Sequence, residues 1–284
     1  MKVETLYPPP CGLHPENRWL KVGRTLGFTG IEAYRKAYFA TLLGVSGIVA
    51  VYLVGQSFKL ALNMASNLLI ETLALLLFIS AFLLAKRYGW SLRGVIPKIW
   101  VAASFSAMLI FTAVTVSNIQ VYVGGISFPH PSAADLLLLS ALCLSIYALS
   151  AYVIAFKEAL KGRIVVTIAA SIVSAGLAVA YFVIYPILLM HIGAFEKILT
   201  VTFILLELTL FSLAITGLGI FIGGRFARAW LFLSLGITLL IVGNLIFFYT
   251  AVTGLYHAGS LENMCFASGL VFAALAFHIH KKEI

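Results

Sequence analysis

Eight stretches of almost unbroken apolar sequence run through the chain, at about residues 38–55, 61–85, 97–117, 134–156, 164–190, 198–222, 229–251 and 260–279. All but the short first one reach the ~20 apolar residues that carry a helix across the hydrocarbon of a bilayer. Between them stand residues that end helices and turn chains. These are Gly55-Gln56, Lys86-Arg87, Gly124-Gly125 followed by Pro129 and Pro131, the charged stretch from Lys157 to Arg163, Gly193, Gly223-Gly224-Arg225 and Gly254. A helix satisfies its own backbone hydrogen bonds in lipid, which an open strand cannot. The pattern predicts an all-α fold, a polytopic membrane helical bundle of about eight transmembrane helices arranged as four helical hairpins.

Composition removes the alternative of a soluble core. Hydrophobic residues fill 62% of the 284 positions and charged residues 10%, with a mean hydropathy of +1.07, against about 45–50% and about 25% in soluble domains. Charge then orients the array, because Lys and Arg near span ends stay on the cytoplasmic side. With the N-terminus inside, 17 of the 19 Lys and Arg fall in inner segments, leaving only Lys59 and Lys197 outside. One helix more or fewer would scramble that alternation. Both termini are therefore expected in the cytoplasm, with the protein multi-pass in the plasma membrane. The net charge of +9 calls for no nucleic acid, since bases rimming a membrane meet anionic headgroups. The expected partner is the lipid bilayer.

Residues 1–37 read as a cytoplasmic N-terminal arm, 38–280 as the transmembrane domain and 281–284 as a cytoplasmic tail. The arm holds Pro8-Pro9-Pro10 and lacks the apolar core and cleavage site of a secretory signal. Its Trp19, Leu20, Val22, Leu26, Phe28 and Ile31 suit either a helix lying on the inner leaflet or an unstructured arm. Cys11, Cys143 and Cys265 have no metal-ligand spacing.

The spans also repeat. Lys98-Ile99-Trp100 opens span three, Arg228-Ala229-Trp230 opens span seven 130 residues later, and Arg163-Ile164-Val165 opens span five midway. Each even span carries an acid or amide in its outer half: Glu71, Asp135, Glu207 and the Glu262-Asn263 pair. The implied unit is a helical hairpin of roughly 65 residues used four times.

The segment Pro131-Ser132-Ala133-Ala134-Asp135-Leu136-Leu137-Leu138-Leu139 resembles a turn-and-helix start of the multi-spanning N-terminal sensor regions that precede diguanylate cyclase and histidine kinase modules. The C-terminal pair is similar to the last two helices of such regions, through Arg228-Ala229-Trp230, Gly243-Asn244, Tyr249, Tyr256, Gly259-Ser260, Glu262-Asn263 and Ala274-Leu275-Ala276. The likeness spans residues 97–280. It implies a membrane sensor module for signal transduction, here without its output domain, serving a separate cytoplasmic signalling protein. Asn244 stands where those regions commonly carry Asp.

Independently of the resemblance, acids inside spans almost always face the bundle interior or water. Glu71 and Glu207 each lie about ten residues from the outer ends of their spans, ~15 Å deep and near the midplane. Asp135 and Glu262 lie nearer the outer surface, with Asn118 and Asn244. An outward-facing polar pocket would accommodate all six as ligand-binding residues. Each also has a plainer reading. Glu71 and Glu207 can be protonated acids hydrogen-bonded to a neighbouring helix, and Asp135 can be a first-turn charge after Pro131-Ser132. His130, His191 and His257 fall in three outward turns and read as loop residues before ligands; His278 and His280 point to different sides of one helix.

No catalytic residues, metal ligands or cofactor are expected. Gly44-Val45-Ser46-Gly47 matches a rhomboid-protease tetrapeptide, but it sits in the first span, where small residues serve helix packing, and no later span supplies a well-placed His. There is no His-Glu-x-x-His motif, phosphate-binding glycine loop or mid-span Lys. The expected function is an integral membrane ligand-binding or sensor-like module without enzymatic activity, taking a small extracellular ligand. The alternatives are a secondary transporter or channel, supported by the repeat, and an accessory subunit of a membrane complex. The inner halves of spans two, four, six and eight carry no charge, which favours binding over passage. Cysteines introduced in the 124–130 loop should react with an impermeant thiol reagent outside intact cells, and cysteines at 158–162 should not; the reverse labelling would invert the orientation.

Overall fold

The computed structural model describes residues 35–54, 59–125, 131–160, 162–224, 226–252 and 260–284. The chain divides into two units, residues 1–42 and 43–284. Of the first, residues 35–42 are described and are helical. The rest of the expected N-terminal arm, and with it Cys11, lies outside the described residues, as do His130 and His257.

Eight membrane-length helical segments are present among the described residues, each close to its expected place. They comprise α1 (Arg35–Val54), α2 (Lys59–Arg87), α3 (Val95–Tyr122), α4 (Ala133–Ala155), α5 (Arg163–Val179), α7 (Ala194–Phe221), α8 (Ala227–Val252) and α9 (Leu261–Glu283), with the short α6 (Tyr185–Leu189) completing the span begun by α5. The protein is a multi-pass membrane protein built as a helical bundle. Local chemistry sets the ends. At α4 the Ser132 N–H donates to Asp135 Oδ2 at 2.6 Å in a capping box, so the first-turn role expected of Asp135 is present. Gly125 and Gly223, at φ 65° and 76°, lead the chain out of α3 and α7 in a conformation that side chains disfavour. Helix α9 runs through Lys281 and Lys282 to Glu283, so the expected tail is the last turn of a helix.

One interruption has a covalent cause. Between α5 and α6 the helix widens into a π turn over Ala180–Ile184, with the Tyr185 N–H reaching back to Ala180 O. Pro186 follows directly. Its ring would strike the Phe182 carbonyl in a regular helix, and the extra residue of the π turn relieves that clash.

Six helices close a ring. Helix α2 packs on α3, α3 on α4, α4 on α7, α7 on α8, α8 on α9, and α9 back on α2. The α5–α6 segment lies outside, against α7. Only 11% of the α1 span and 11% of the α5–α6 span is buried, against 67% of α9. Mean hydropathy sets α9 alone apart, since α1 and α3 share a value of 2.0 at 11% and 44% buried. Helix α9 has the lowest value, 1.4, where the others reach 2.0 to 2.5. It buries Glu262, Asn263, Ser268, His280 and Glu283, which lipid would not accept. Leu75, Leu76, Ile79, Phe82 and Leu83 of α2 are exposed, as lipid-facing positions are.

The ring has a basic end, where α2, α4, α7 and α9 finish and α3 and α8 begin, marked by Lys86, Arg87, Lys98, Arg228, Lys281 and Lys282. Close backbone approach seals α8 to α9. A Cβ on Gly236 would fall 2.8 Å from Ala273 N and 2.9 Å from Gly269 O, the near contact that small residues permit between membrane helices. By contrast, Cβ atoms at Gly44 and Gly47 would meet nothing within 4 Å, so the packing expected of that tetrapeptide is not made among the described residues. Gly236→Val should lower unfolding stability in detergent by about 1–3 kcal/mol through overpacking. Gly176→Val on α5, where the space is open, should leave it unchanged or slightly raised.

Candidate functional site

A cavity of about 360 Å³ runs inside the ring, and all six ring helices contribute to its wall. At the basic end it rests on Trp100 of α3, Tyr152 of α4, Trp230 of α8 and Phe277 of α9. These rings touch: Tyr152 lies edge-on to Trp100 at 5.7 Å between centroids and tilted on Trp230 at 5.2 Å, and Trp100 meets Phe277 edge-on at 6.0 Å. Trp230 stacks on Phe221 at 5.3 Å and lies across Gly217, where a Cβ would come within 2.0 Å of its ring. No other residue at 217 leaves room for that indole. His280 lies 4.6 Å from the Trp100 ring and 4.8 Å from that of Phe226, with Nε2 3.0 Å from the Tyr88 hydroxyl. Together these residues form an aromatic floor.

The opposite end of the cavity is polar. Its wall there includes Asn118 of α3, Asp135 of α4, Glu207 of α7, Asn244 of α8 and Asn263 of α9. Asn244 Nδ2 donates to Glu207 Oε1. Glu207 Oε2 has no hydrogen-bond partner, and neither has Asn263 Nδ2, although the two residues are only 1% and 4% exposed. Buried polar atoms are nearly always paired, so these two are conspicuous on a cavity wall. Eighteen residues separate Trp100 from Asn118 and fourteen separate Trp230 from Asn244, which sets the polar tier ~21–27 Å above the floor. Between the tiers the wall is largely apolar, with Ala107, Leu142, Ile237 and Leu270 among its residues.

Of the six candidate residues, the structure brings Asn118, Asp135, Glu207 and Asn244 to this wall and not Glu71 or Glu262. Glu71 is turned towards α3. It accepts from Thr115 Oγ1 at 2.8 Å and from Asn118 Nδ2 at 2.9 Å, so both carboxyl oxygens are engaged. This corrects the expectation that Glu71 and Glu207 meet in one pocket. Rotation about α2 aims Glu71 at the neighbouring helix, and its partner Asn118 lines the cavity in its place. Glu262 is buried at 1% and accepts from Thr250 at 3.4 Å. Sequence reasoning did not single out Asn67, Tyr152 or the Trp pair as lining residues. For Trp100 and Trp230 a signal existed, since both open spans and mark the repeat. His191 is exposed in its turn.

The repeat takes a larger form than a hairpin. In the ring α2–α3–α4 is followed by α7–α8–α9, and the parts correspond. Trp100 and Trp230 both reach the floor, and Ser104 and Ser234, one turn on, are both buried. Glu71 pairs with Asn118 between α2 and α3, and Glu207 with Asn244 between α7 and α8. The two acid–amide pairs differ in one respect: only the second leaves a carboxyl oxygen unpaired.

Compared with family models, with curated proteins and with solved structures, the chain matches none.

The contrast between the two acids is measurable. Glu71→Gln leaves a single acceptor oxygen where Thr115 Oγ1 and Asn118 Nδ2 both donate and should cost about 1 kcal/mol. Glu207→Gln keeps an acceptor for Asn244 and removes a buried acid with no second partner, so stability should stay within about 0.5 kcal/mol of wild type. Unfolding in mixed micelles reads both values, and equal losses would show that Glu207 is as tightly engaged as Glu71.

Proposed function

We propose that this protein is an integral membrane ligand-binding module of a sensor-like kind, without catalytic activity, whose site is the cavity inside the six-helix ring. The observation that carries the reading is the pairing of an internal cavity with unpartnered buried polar atoms, Glu207 Oε2 and Asn263 Nδ2, on its wall. Ligand sites have this form: a mostly apolar hollow, within the usual ~300–1,000 Å³, with a few convergent polar groups that orient what enters. The inward-facing aromatic floor supports binding over passage, because a solute crossing the ring would have to part Trp100, Tyr152 and Trp230.

The lopsided distribution of Lys and Arg supports a plasma-membrane orientation with the basic end and both termini in the cytoplasm and the polar tier towards the outside. The sensor-region resemblance then supports a signalling role, with occupancy of the cavity read by a separate cytoplasmic protein or membrane subunit. Secondary transport is the second reading. It is favoured by the correspondence of α2–α4 with α7–α9, since transporters are commonly built from repeats with their sites between them.

A component of a host metabolite or lipid extract should raise the unfolding temperature of the purified protein, as a ligand selective for the native state must. Glu207→Gln should weaken that component's affinity by tenfold or more while its own unfolding temperature stays near wild type. If no component stabilises the wild type, or if Glu207→Gln binds it equally well, the site is elsewhere or absent. Uptake of the same component into proteoliposomes would move the assignment to transport.

A further inference from the structure

The cavity's own shape and chemistry narrow the class of its occupant, taking as given the ligand-binding reading above. We infer that the cavity holds an elongated amphiphile: a hydrocarbon chain standing along the ring axis, with an uncharged hydroxyl-type head between Glu207 and Asn263 and its far end on the Trp100 floor.

Three features of the wall carry this. The first is form. About 360 Å³ is distributed between two tiers some 21–27 Å apart, so the space is far longer than it is wide, and the surface between the tiers is mostly apolar, broken by Ser106 and Ser145, which hydrogen-bond to each other. A small polar solute would leave most of that surface in contact with nothing, whereas a chain of methylene groups contacts it throughout.

The second feature is the pair of unmet groups at the head end. Glu207 Oε2 lacks a donor, and Asn263 Nδ2 is a donor without an acceptor. A hydroxyl has the capacity for both needs, since it can give its proton to a carboxyl oxygen and receive an amide N–H on its lone pair. A hydrocarbon head serves neither, and a quaternary ammonium cannot donate.

The third is charge. The described wall contains two carboxyl residues, Asp135 and Glu207, and no Lys, Arg or His. A fatty-acid carboxylate or a lipid phosphate would bring its negative charge into this wall with no cation to offset it, away from the water that would otherwise solvate it. The selection is therefore against anionic lipids. At the floor, Trp100 Nε1 is a further buried donor without a partner, at 5% exposure. A chain with an oxygen at its tip can accept from it, so a chain hydroxylated at both ends should bind more tightly than one hydroxylated at the head alone.

The test reads the floor directly. In the protein carrying Trp19→Phe and Trp90→Phe, the remaining fluorescence comes from Trp100 and Trp230, which are 5% and 2% exposed. In nanodiscs, 16-bromohexadecan-1-ol should quench this emission saturably. It should bind at least tenfold more tightly than 16-bromohexadecanoate, and 1,16-hexadecanediol should displace it better than 1-hexadecanol does. Asn263→Leu should weaken the alcohol at least fivefold without strengthening the acid. Ala107→Phe, which fills the space between the tiers, should abolish quenching; if that variant is not monodisperse, Ala141→Phe obstructs the same level from α4.

Equal or tighter binding of the carboxylate would overturn the uncharged head, and quenching that survives both filled variants would place the probe outside the cavity. Absence of quenching, together with stabilisation by a water-soluble extract component that needs Glu207, would overturn the amphiphile while leaving the binding reading intact. Absence of both would overturn the two together.

Discussion

A polar side chain inside a bilayer has to find its partner within the protein, and most of the interior arrangement of this ring follows from that restriction. Hydrocarbon offers no hydrogen bonds, so most acids, amides and small hydroxyls in the described spans are turned into the ring, tied to a neighbouring helix, or folded back on their own backbone. Thr72, Thr112, Ser140, Thr202 and Thr209 take the last course, donating to the carbonyl four residues earlier. Ser106 and Ser234 cross between helices, to the Ala141 and Ala214 carbonyls. The larger groups have fewer choices. Glu71 is fully accommodated by α3, whereas Glu207, a residue of the cavity wall, is accommodated through one oxygen only. The same restriction that organises the ring therefore singles out the place where it is not met.

The floor is held by the opposite kind of force. Its rings are large, and each gains from contact area and from edge-to-face or offset arrangement with its neighbours. Their positions are set from below by Gly217, which admits the Trp230 indole, and by His280, which hydrogen-bonds to Tyr88 and lies against Trp100 and Phe226. Polar groups that need partners at one end and aromatic groups that fill volume at the other leave an aliphatic bore between them. The chemistry of the bore is thus a gradient, and the inferred occupant has the same gradient along its length.

Membrane class, number of spans and their approximate limits were legible in the sequence because each depends only on a local run of apolar residues and on the charges beside it. The Asp135 cap was legible for a similar reason, since a capping box involves four consecutive residues. That acids interrupt the apolar runs was legible too, which is why Glu71 and Glu207 stood out together. Facing was not. A rotation of α2 by one residue position, about 100°, separates a wall residue from one pressed against α3, and apolar neighbours on every side of the helix give no stripe from which to read it. The ring order was hidden for a related reason: α5–α6 is as apolar as the helices beside it in sequence, yet it lies outside while α4 and α7 meet directly. Pro186 was a visible signal for the π turn.

The burial of α9 bears on how the chain is assembled in the membrane. As an isolated span it would present Glu262, Asn263, Ser268 and His280 to lipid, and its mean hydropathy of 1.4 is the weakest inducement to leave the insertion machinery for the bilayer. Its two partners, α2 and α8, are both translated before it. By the time α9 emerges, the groove between them can receive its polar face, with Gly236 of α8 clearing the way for Gly269 and Ala273. Insertion of the eighth span is thus templated by the earlier ones. Damage to α2 or α8 at that groove would be felt first as a failure of biogenesis, with α9 stranded at the membrane surface and open to proteolysis.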